Sequence, residues 1–393
     1  MPLDISLAGR TVVVVSRIYL PEPAAASFRL GALARALRAS GAVTKILTST
    51  PPVQYAEPVA GHEGIEIRRA RVLRDAAGYV RGYLQYMSFD IPVFFRLLFV
   101  GRANLVVVEP PPTTGFFVRI ACALRRIPYV YYAADIWADA VETTNAPDLV
   151  VRVVRGLERW AMRGAATVIS VSNEFTGRLL EIDSRLRVET VGNGVDTELF
   201  SAVGSMRDPG APYLLYAGTA SEVHGAAIFL EAFRTVVAVK PEVRLVFVGQ
   251  GAERELLESA ARTFPPGAVL FEPRLAPAQV AEWIRGAAAT LASVKPGGYE
   301  LAFPTKMYAS VSCGTRVIYA GVGPGRDFAQ KRELGWAVPY DAVAVSEAML
   351  AALAVIADPE DRRGVSEWAA ANVSLSAVAE RAVTVIGKVL SAR

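Results

Sequence analysis

A glycine-rich loop leading into a helix-like segment holds the residues best suited to chemistry. The loop runs from Lys295 to Glu300. The predicted first turn of the segment after it consists of Pro304, Thr305, Lys306 and Met307. Free backbone N–H groups at a helix start, with a lysine beside them, suit an anion such as a diphosphate. A carboxylate cannot bind phosphate, so a functional Glu300 would hold hydroxyl groups, as on a sugar; the alternative is a solvated loop.

Three glycine turns follow strand-like runs and allow close approach to the backbone. They are Gly218-Thr219, with His224 shortly after it; Val248-Gly249-Gln250-Gly251; and Gly192-Asn193-Gly194. The first would suit a phosphate or a sugar, and the last makes a sharp turn where the chain leaves the first sheet. Glycine after a strand is also common, so a plain turn remains open at each position.

Polar residues also follow strand-like runs in the first half of the chain. They are Glu22, Pro23 and Arg29 around one strand-to-helix turn, Glu109 before a proline turn, and Asp135 with Trp137. The first turn lacks a G-x-G-x-x-G pattern, which argues against NAD or FAD. Asp135 stands where open α/β sheets bind substrates, although it could instead cap the next helical turn.

Composition excludes several classes of protein. The chain has 393 residues, 52% hydrophobic and 20% charged, which is not the composition of a disordered protein. Two cysteines, Cys122 and Cys313, and two histidines predict neither a disulfide framework nor a metal centre, so we expect no metal or cofactor. The net charge is +4 with scattered arginines, which does not favour nucleic acid. With no apparent spanning helix or signal peptide, we expect a cytoplasmic protein.

These residues must be positioned by two doubly wound α/β halves, because short apolar runs alternate with amphipathic segments almost throughout. We predict an N-terminal Rossmann-like domain over 1–196 and a second one over 197–375. The irregular stretch 196–212 is the predicted linker, and the last helix, about 376–393, is a candidate to pack back on the first domain. Such folds bind ligands at the carboxyl ends of their strands.

A basic and apolar region extends from Tyr79 to Arg102. Its aromatic side chains stand among Arg81, Arg96 and Arg102. One interpretation is contact with a membrane surface or a hydrophobic acceptor, which would make the protein peripheral at the inner membrane face. The other is a helix buried against the first sheet.

Four short segments follow one another along the chain and together resemble a known family. They are Gly192–Asp196 with Leu199-Phe200, Phe247–Gly251 with Arg254, Cys313–Ile318, and Glu333–Trp336. With them, the chain resembles the retaining glycosyltransferases of the GT-B fold, family 4, over nearly its whole length. It resembles most the branch of bacterial N-acetylfucosaminyltransferase, through Pro21–Pro23 with Arg29, Glu109–Pro111, Asp135–Trp137 and Pro304–Lys306.

The chain departs from the family pattern at several positions. Family members place an arginine and a lysine after the first strand of the second domain, where this chain has Thr219 and His224. They also have two glutamates eight positions apart, which align with Leu301 and Ala309. Lys306 and Arg274 are then the cations expected to compensate.

The resemblance implies a retaining transferase that moves a sugar from a nucleotide-diphosphate sugar to a hydroxyl or amine acceptor, which could be a glycan, a lipid-linked molecule or a natural product. Implied catalytic residues are Glu300, Lys306 and Asp135. Implied donor-binding residues are Gly218, Thr219, His224, Gly249, Arg274, Pro304, Thr305 and Met307. Implied acceptor-side residues are Glu22, Pro23, Arg29 and Asn193. The alternatives are a pseudo-glycosyltransferase or sugar-nucleotide epimerase of the same fold, and a non-catalytic sugar-binding partner.

Overall fold

The chain forms two compact units. A computed structural model describes residues 6–22, 24–55, 63–75, 78, 80, 82–142, 147–297, 300–331, 334–355 and 358–392. The first unit is Met1–Asn193 together with Leu375–Arg393, and the second is Gly194–Ser374. The units thus divide three residues before the predicted boundary, and the chain returns to the first unit one residue before the predicted start of the last helix.

The first unit is a seven-stranded parallel sheet with helices on both faces. Its strands are β1 (Thr11–Val15), β2 (Val43–Ser49), β3 (Glu66–Ala70), β4 (Leu105–Val108), β5 (Tyr129–Ala133), β6 (Thr167–Ser170) and β7 (Val188–Thr190), in the order β3-β2-β1-β4-β5-β6-β7. Its helices before the crossing to the second unit are α1 (Ala25–Ala39), α2 (Tyr83–Leu98), α3 (Pro112–Arg125), α4 (Trp137–Glu142), α5 (Asp148–Arg163) and α6 (Asn173–Ile182), with a 3₁₀ turn at Val53–Tyr55.

The second unit is a six-stranded parallel sheet of the same kind. Its strands are β8 (Tyr213–Ala217), β9 (Arg244–Val248), β10 (Val269–Glu272), β11 (Ala289–Val294), β12 (Val317–Gly321) and β13 (Gly335–Val338), in the order β10-β9-β8-β11-β12-β13. Its helices are α7 (Ala227–Val239), α8 (Arg254–Ala261), α9 (Pro277–Gly286), α10 (Lys306–Ser312), α11 (Pro324–Gln330), α12 (Ala342–Ala354) and α13 (Pro359–Val373). The predicted fold class, two doubly wound parallel-sheet domains, is confirmed.

The strand order identifies where each unit binds ligands. Chain order reverses between β1 and β4 in the first unit and between β8 and β11 in the second. In open α/β sheets, the crevice outside the carboxyl ends of the strands at this reversal takes the ligand. The residues after β1 and β4, and those after β8 and β11, are therefore the main candidates for ligand binding.

Three strands were not predicted from the sequence. β2 carries Thr44 and Lys45 at its start, β3 is a charged edge strand, and β13 has only four residues. β2 and β3 lack the continuous apolar run of a central parallel strand such as β1, whose five residues are all buried, and the short apolar run of β13 is only half-buried.

The predicted linker belongs to the second unit. The backbone of this segment is held by Arg285 on α9, whose guanidinium donates hydrogen bonds to the carbonyls of Ser201 and Ser205. Val195 at its start forms a parallel bridge with Ser374, near the point where the chain returns to the first unit. The two crossings of the chain therefore pair with each other, and 196–212 is not a free tether.

The last helix, α14 (Leu375–Ser391), completes the first unit. Val378, Val383 and Ile386 of α14 belong to the same buried apolar cluster as Leu30 and Leu33 of α1. The helix thus covers one face of the first sheet beside α1.

Within the region from Tyr79 to Arg102, residues Tyr83–Leu98 form α2, and Tyr79 and Arg81 lie outside the described residues. Phe89, Val93 and Leu97 on one face of α2 are buried against the first sheet. Phe95 and Phe99 on its other side are exposed. Among the described residues, no single helix combines the length and the apolar character needed to cross a bilayer, and one sharply bent pair, α12 with α13, does so by length and composition only.

Candidate active site

Lys306 lies at the strand reversal of the second sheet. The chain leaves β8 at Gly218, whose φ is +137°. The stem of Lys306 packs on this turn, so that a Cβ added to Gly218 would lie 3.1 Å from Lys306 Cε. Lys306 Nζ is 3.6 Å from the centroid of the Tyr216 ring. Glycine at 218 therefore provides both the backbone angle and the space that the lysine occupies.

The amine of Lys306 is buried and has no hydrogen-bond partner among the described residues. Burial lowers its pKa to about 7. A buried charge without a partner is costly, and the face of Tyr216 offsets only part of that cost. A bound anion would accept hydrogen bonds from the unused N–H groups of Lys306 and would raise the pKa of its amine again. This site is therefore suited to an anionic ligand.

His224 lies close to Lys306. Its ring Nδ1 is 2.8 Å from Ser221 Oγ, and its carbonyl accepts a 2.5 Å hydrogen bond from Ser293 Oγ at the end of β11. Burial, and then the charge of Lys306, lower the pKa of His224 to about 4. The imidazole is therefore neutral near pH 7, and it adds hydrogen-bonding capacity to the site rather than positive charge.

Two more predicted donor residues adjoin this cluster through the backbone. Gly249 follows β9 with φ +139°, and a Cβ there would overlap the carbonyl oxygen of Gly218. Thr219 is exposed, and its carbonyl accepts a hydrogen bond from the Tyr216 hydroxyl. The structure thus brings together Gly218, Thr219, His224, Gly249 and Lys306.

Arg274 and Glu300 are both exposed to solvent. Arg274 is exposed after β10, which is separated from β8 by β9, about 10 Å at the usual strand spacing. Glu300 is exposed, and its carboxylate accepts a 3.0 Å hydrogen bond from the backbone N–H of Gly297. The intervening Gly298 and Tyr299, part of the predicted loop, lie outside the described residues, as does Glu333 of the last family segment.

The donor roles predicted for Met307 and Pro304 require correction. The side chain of Met307 is fully buried in an apolar cluster with Val294 and Tyr319, and its N–H donates to the Pro304 carbonyl. Pro304 is buried as well, whereas Thr305 is exposed and its hydroxyl caps no N–H of α10. α10 has only seven residues, so the chemistry of this segment rests on the lysine side chain rather than on a helix terminus.

Ala309, at the position of the later family glutamate, is buried against apolar neighbours. It belongs to a cluster that includes Ala217 at the end of β8, Val248 at the end of β9, and Cys313. A methyl group therefore stands where other family members are expected to place a carboxylate.

In the first unit, Arg29 of α1 and Glu109, which directly follows β4, form a buried ion pair. Ser16 Oγ donates a 3.1 Å hydrogen bond to the same carboxylate. Burial alone would lower the pKa of Arg29, but the charge and hydrogen bond of Glu109, together with the charges of Tyr132 and Asp135, outweigh it and the net shift is upward. The guanidinium of Arg29 is enclosed and paired with Glu109, and its acceptor-side role stays a prediction.

Glu22 is likewise occupied by the protein itself. Its carboxylate accepts hydrogen bonds of 3.0 and 3.3 Å from Arg74, which also donates to Ser49 Oγ and the Thr50 carbonyl. This network ties the turn after β1 to the end of β2, which corrects the predicted acceptor contact at Glu22. Pro23 lies outside the described residues.

Sequence reasoning missed a buried polar pair at the same crevice, Arg17 and Asp90. Arg17 follows β1 and lies 3.8 Å above the Tyr86 ring, and its Nη1 is buried without a hydrogen-bond partner in the described part of the chain. Asp90 on α2 is fully buried and accepts a 2.5 Å hydrogen bond from Thr114 Oγ1. Burial raises the pKa of Asp90, opposed by neighbouring threonine hydroxyls and by Arg17. A lone acid within the apolar run of α2 was the available signal.

Asp135 directly follows β5 and is exposed, as expected of a residue that meets a ligand. Although the residue is exposed in part, burial of its carboxyl raises the pKa of that group, and the charge of Arg29 opposes the shift. Asp135 does not cap the next helix. Glu158 of α5 does so, because its carboxylate accepts hydrogen bonds of 2.9 and 3.0 Å from the backbone N–H groups of Trp137 and Ala138.

Asn193 is the last residue of the first unit. It follows Gly192, whose φ is +85°. Arg381 of α14 donates a 2.7 Å hydrogen bond to the carbonyl of Val191, which fixes this turn on the last helix.

Among the residues that the structure describes, no group of three or more His, Cys, Asp or Glu side chains could hold a metal ion.

Both halves of the chain match models of glycosyltransferase domains. Residues 25–194 match the model described as "Glycosyl transferase 4-like domain". Residues 211–358 match the model described as "Glycosyl transferases group 1". The chain belongs to the GT-B glycosyltransferases. No curated protein sequence is similar enough to count as a match.

Solved structures of GT-B glycosyltransferases superpose on the whole chain. Sucrose-phosphate synthase from Thermosynechococcus elongatus has a TM-score of 0.74 at 19% identity, covering 98% of this chain and 100% of its own. HepE from Anabaena, in complex with UDP-glucose, has a TM-score of 0.68 at 14% identity, with 96% and 99% covered. The catalytic domain of starch synthase IV from Arabidopsis thaliana, bound to ADP and acarbose, has a TM-score of 0.71 at 12% identity, with 97% and 99% covered. At these identities the likeness concerns the fold.

Proposed function

We propose that this GT-B glycosyltransferase transfers a sugar from a nucleotide-diphosphate sugar to a hydroxyl or amine acceptor, with retention of the anomeric configuration. The observation that carries the proposal is the buried amine of Lys306, which lies without a hydrogen-bond partner at the strand reversal of the second unit. In this family of enzymes, the anion expected at that position is the diphosphate of the sugar donor. The complexes of related folds with UDP-glucose and ADP support that choice.

In the proposed reaction, Lys306 donates hydrogen bonds to the donor diphosphate. As the glycosidic bond to the diphosphate breaks, negative charge grows on the leaving oxygen, and a fixed cation in a water-poor site stabilises that charge strongly. Gly218 lets the lysine approach the end of β8, and neutral His224 offers a further hydrogen bond. Glu300 would hold a sugar hydroxyl, and Arg274 is proposed only for a more distant part of the donor.

The acceptor is proposed to enter at the first unit. Asp135 is exposed at the end of β5, and its raised pKa suits a group that exchanges a proton with the acceptor. The Arg29–Glu109 and Arg17–Asp90 pairs would hold the shape of this crevice. Retention, the family 4 assignment and the branch of N-acetylfucosaminyltransferase rest on the resemblance of the motifs.

One experiment separates transfer from binding alone. The protein is screened by thermal shift against UDP-, GDP-, dTDP- and CDP-sugars, and the stabilising donor is then assayed for product with hydroxyl and amine acceptors. We expect one nucleotide to raise the melting temperature and to yield a product that keeps the donor's anomeric configuration by NMR. An inverted product would overturn retention alone.

Lys306→Met tests the site, with Lys331→Met as its matched control, because Lys331 is an exposed lysine of the same unit. Lys306→Met should lower turnover at least ~100-fold while the protein stays folded, and Lys331→Met should leave turnover unchanged. Equal turnover in both variants would refute the role of Lys306.

A non-catalytic sugar-binding partner remains the second candidate. It is favoured by the neutral His224 and the buried Ala309, which stand at positions where the family resemblance leads one to expect charged groups. Binding of a nucleotide sugar without product, across all acceptors tested, would support it. Interconversion of the nucleotide sugar without an acceptor would instead identify a sugar-nucleotide epimerase.

We also propose that catalysis needs no metal and that the protein works in the cytoplasm. Cys122 and Cys313 are buried and unpaired, and burial raises the pKa of each thiol to about 12, which suits inert core residues of a reducing compartment. Full turnover in EDTA, and recovery in the cytosolic fraction of cells lysed in 0.5 M salt, are the expected results. Loss of turnover in EDTA that Mg²⁺ restores would overturn the first expectation.

A further inference from the structure

A ribbon of aromatic rings runs across three helices of the first unit. Phe95 and Phe94 of α2 are 5.1 Å apart between ring centroids, and Phe94 is 6.3 Å from Phe117 of α3. Phe117 continues to Phe116 at 5.4 Å, and Phe116 continues to Trp160 of α5 at 5.1 Å. Both ends of the ribbon, Phe95 and Trp160, are exposed. The three helices therefore share one continuous outer surface.

Helix α5 presents three distinct strips along its length. The first is buried and contains Val151, Glu158, Ala161 and Met162. The second is apolar but exposed, and contains Leu149, Val153 and Trp160. The third contains Arg152, Arg155, Arg159 and Arg163, at helical spacing. An apolar strip and an arginine strip thus lie side by side on the solvent side of one helix.

The charge of this surface has one sign. Helices α2, α3 and α5 are described in full and together contain seven arginines: Arg96, Arg119, Arg125, Arg152, Arg155, Arg159 and Arg163. Their acidic residues are Asp90, Asp148 and Glu158, of which Asp90 and Glu158 are buried. Asp148 is therefore the one exposed acid among these three helices.

An open depression of about 540 Å³ lies beside the arginine strip. Its walls include Arg152, Arg155 and Arg159 of α5 and Arg178 of α6, with Glu181 as the acidic residue. Arg159 is paired with Asp183, and Arg178 with Asp139, so these guanidinium groups are held in place. The depression is large enough and positive enough for a phosphate-bearing headgroup.

We infer that the outer face of α2, α3 and α5 docks this protein on an anionic lipid bilayer. Aromatic and aliphatic side chains settle at the boundary between headgroups and acyl chains, while arginines along the same helix reach lipid phosphates. Two parallel strips of opposite character match a flat surface that is charged outside and apolar beneath. Phe99 directly follows α2 and is 82% exposed. We expect its ring to insert into the bilayer. The inference does not depend on the proposed sugar transfer.

Flotation of the full chain with lipid vesicles tests the inference. Vesicles of phosphatidylcholine alone are compared with vesicles that contain a third of phosphatidylglycerol. We expect at least tenfold more protein with the anionic vesicles at 0.1 M salt, and loss of that excess at 0.5 M salt, since the electrostatic part is screened. No association with anionic vesicles would overturn the inference.

Two variants locate the contact. The first variant, Leu149→Ser with Phe99→Ser, removes exposed apolar groups. The second, Arg152→Gln with Arg155→Gln, removes positive charge, and each lost arginine should lower the affinity for vesicles about fivefold. The matched control combines Leu256→Ser, Val203→Ser and Arg262→Gln, all exposed in the second unit. We expect both face variants to lose flotation and the control to keep it. Equal flotation of all three would overturn the inference.

A second readout follows Trp160 directly. Lipids brominated near the headgroup should quench tryptophan fluorescence in the wild-type protein, and Trp160→Phe should remove most of that quenching. If the face variants instead abolish a concentration-dependent dimer in sedimentation velocity, the face joins two copies of the chain and the lipid inference is wrong. Thermal stabilisation by a soluble nucleotide sugar should be equal in all these variants, which separates this test from that of the proposed function.

Discussion

Lys306 packs its stem against Gly218, so that a Cβ added to the glycine would lie 3.1 Å from Lys306 Cε and the lysine would have to shift. This contact brings a titratable amine to the end of β8, in surroundings that lower its pKa to about 7. The relationship links a backbone feature, a glycine at φ +137°, to a chemical one, an amine whose charge depends on what is bound.

Binding of a nucleotide-diphosphate sugar should take up a proton at pH 8. The diphosphate of such a donor is a diester that does not titrate near neutral pH, whereas Lys306 is mostly neutral at pH 8 and becomes charged beside the anion. We expect uptake approaching one proton per site at pH 8 and little at pH 6, measured by calorimetry in buffers of different ionisation enthalpy. Lys306→Arg should bind without uptake, because a guanidinium stays charged. Equal uptake in that variant would assign the proton to another group.

Gly218→Ala and Gly249→Ala should fail in different ways. At 218 the added methyl meets the flexible end of Lys306, so we expect a donor KM raised about tenfold and a modest loss of stability from the positive φ. At 249 the methyl overlaps the Gly218 carbonyl, which cannot move freely, so stability should fall by at least about 2 kcal/mol. Thermal melts and donor KM together check both. A Gly249→Ala protein as stable as the wild type would contradict the packing argument.

Glu300→Gln separates a role in the loop from a role toward the donor. The amide oxygen of glutamine can still accept the hydrogen bond from the Gly297 N–H, so the loop should persist. If Glu300 holds a sugar hydroxyl, turnover falls while affinity for the free nucleoside diphosphate stays within about twofold, because one charge-assisted hydrogen bond is weakened. Unchanged turnover would leave Glu300 with the loop role alone.

Glu158 should make the protein less stable as the pH rises. Burial raises its pKa to about 7, opposed by the N–H groups of Ala138 and Trp137, from an ordinary value of 4.5. Between these two values the folded state holds a proton that the unfolded state has lost, so the contribution of Glu158 to stability declines from pH 5 to pH 8 by about 2 to 3 kcal/mol. Urea unfolding of wild type and Glu158→Gln at both values checks this. The variant should lose that part of the pH dependence, and parallel profiles would contradict the assignment.

The sequence was sufficient for the architecture because the central strands are continuous apolar runs. The apolar runs at residues 11–15 and 105–108 form β1 and β4, and every residue in them is buried. β3, by contrast, reads Glu-Ile-Arg-Arg-Ala, and its strand conformation depends on pairing with β2, which no local pattern reveals. Edge strands depend on neighbours that are distant in the sequence.

The candidate site was predictable where a local pattern carried it. A glycine after a strand and a lysine at a helix start led to Gly218 and Lys306, which the structure places in contact. The ion pair Arg29–Glu109 joins residues 80 positions apart, and the charge of Asp90 acts on Arg17 from 73 positions along the chain, so no local pattern indicated these interactions. Met307 was misassigned because sequence adjacency to Lys306 does not indicate which face of a helix is buried.

The placement of α14 has a consequence for the order in which this protein is made. The second unit is one uninterrupted stretch of chain, whereas the apolar cluster of the first unit needs Val378, Val383 and Ile386 to cover Leu30 and Leu33. During synthesis, the half that leaves the ribosome first must therefore wait, with part of its core open to water, until the final helix is translated. We expect the nascent first half to need chaperone protection, and removal of the last helix to leave it aggregation-prone.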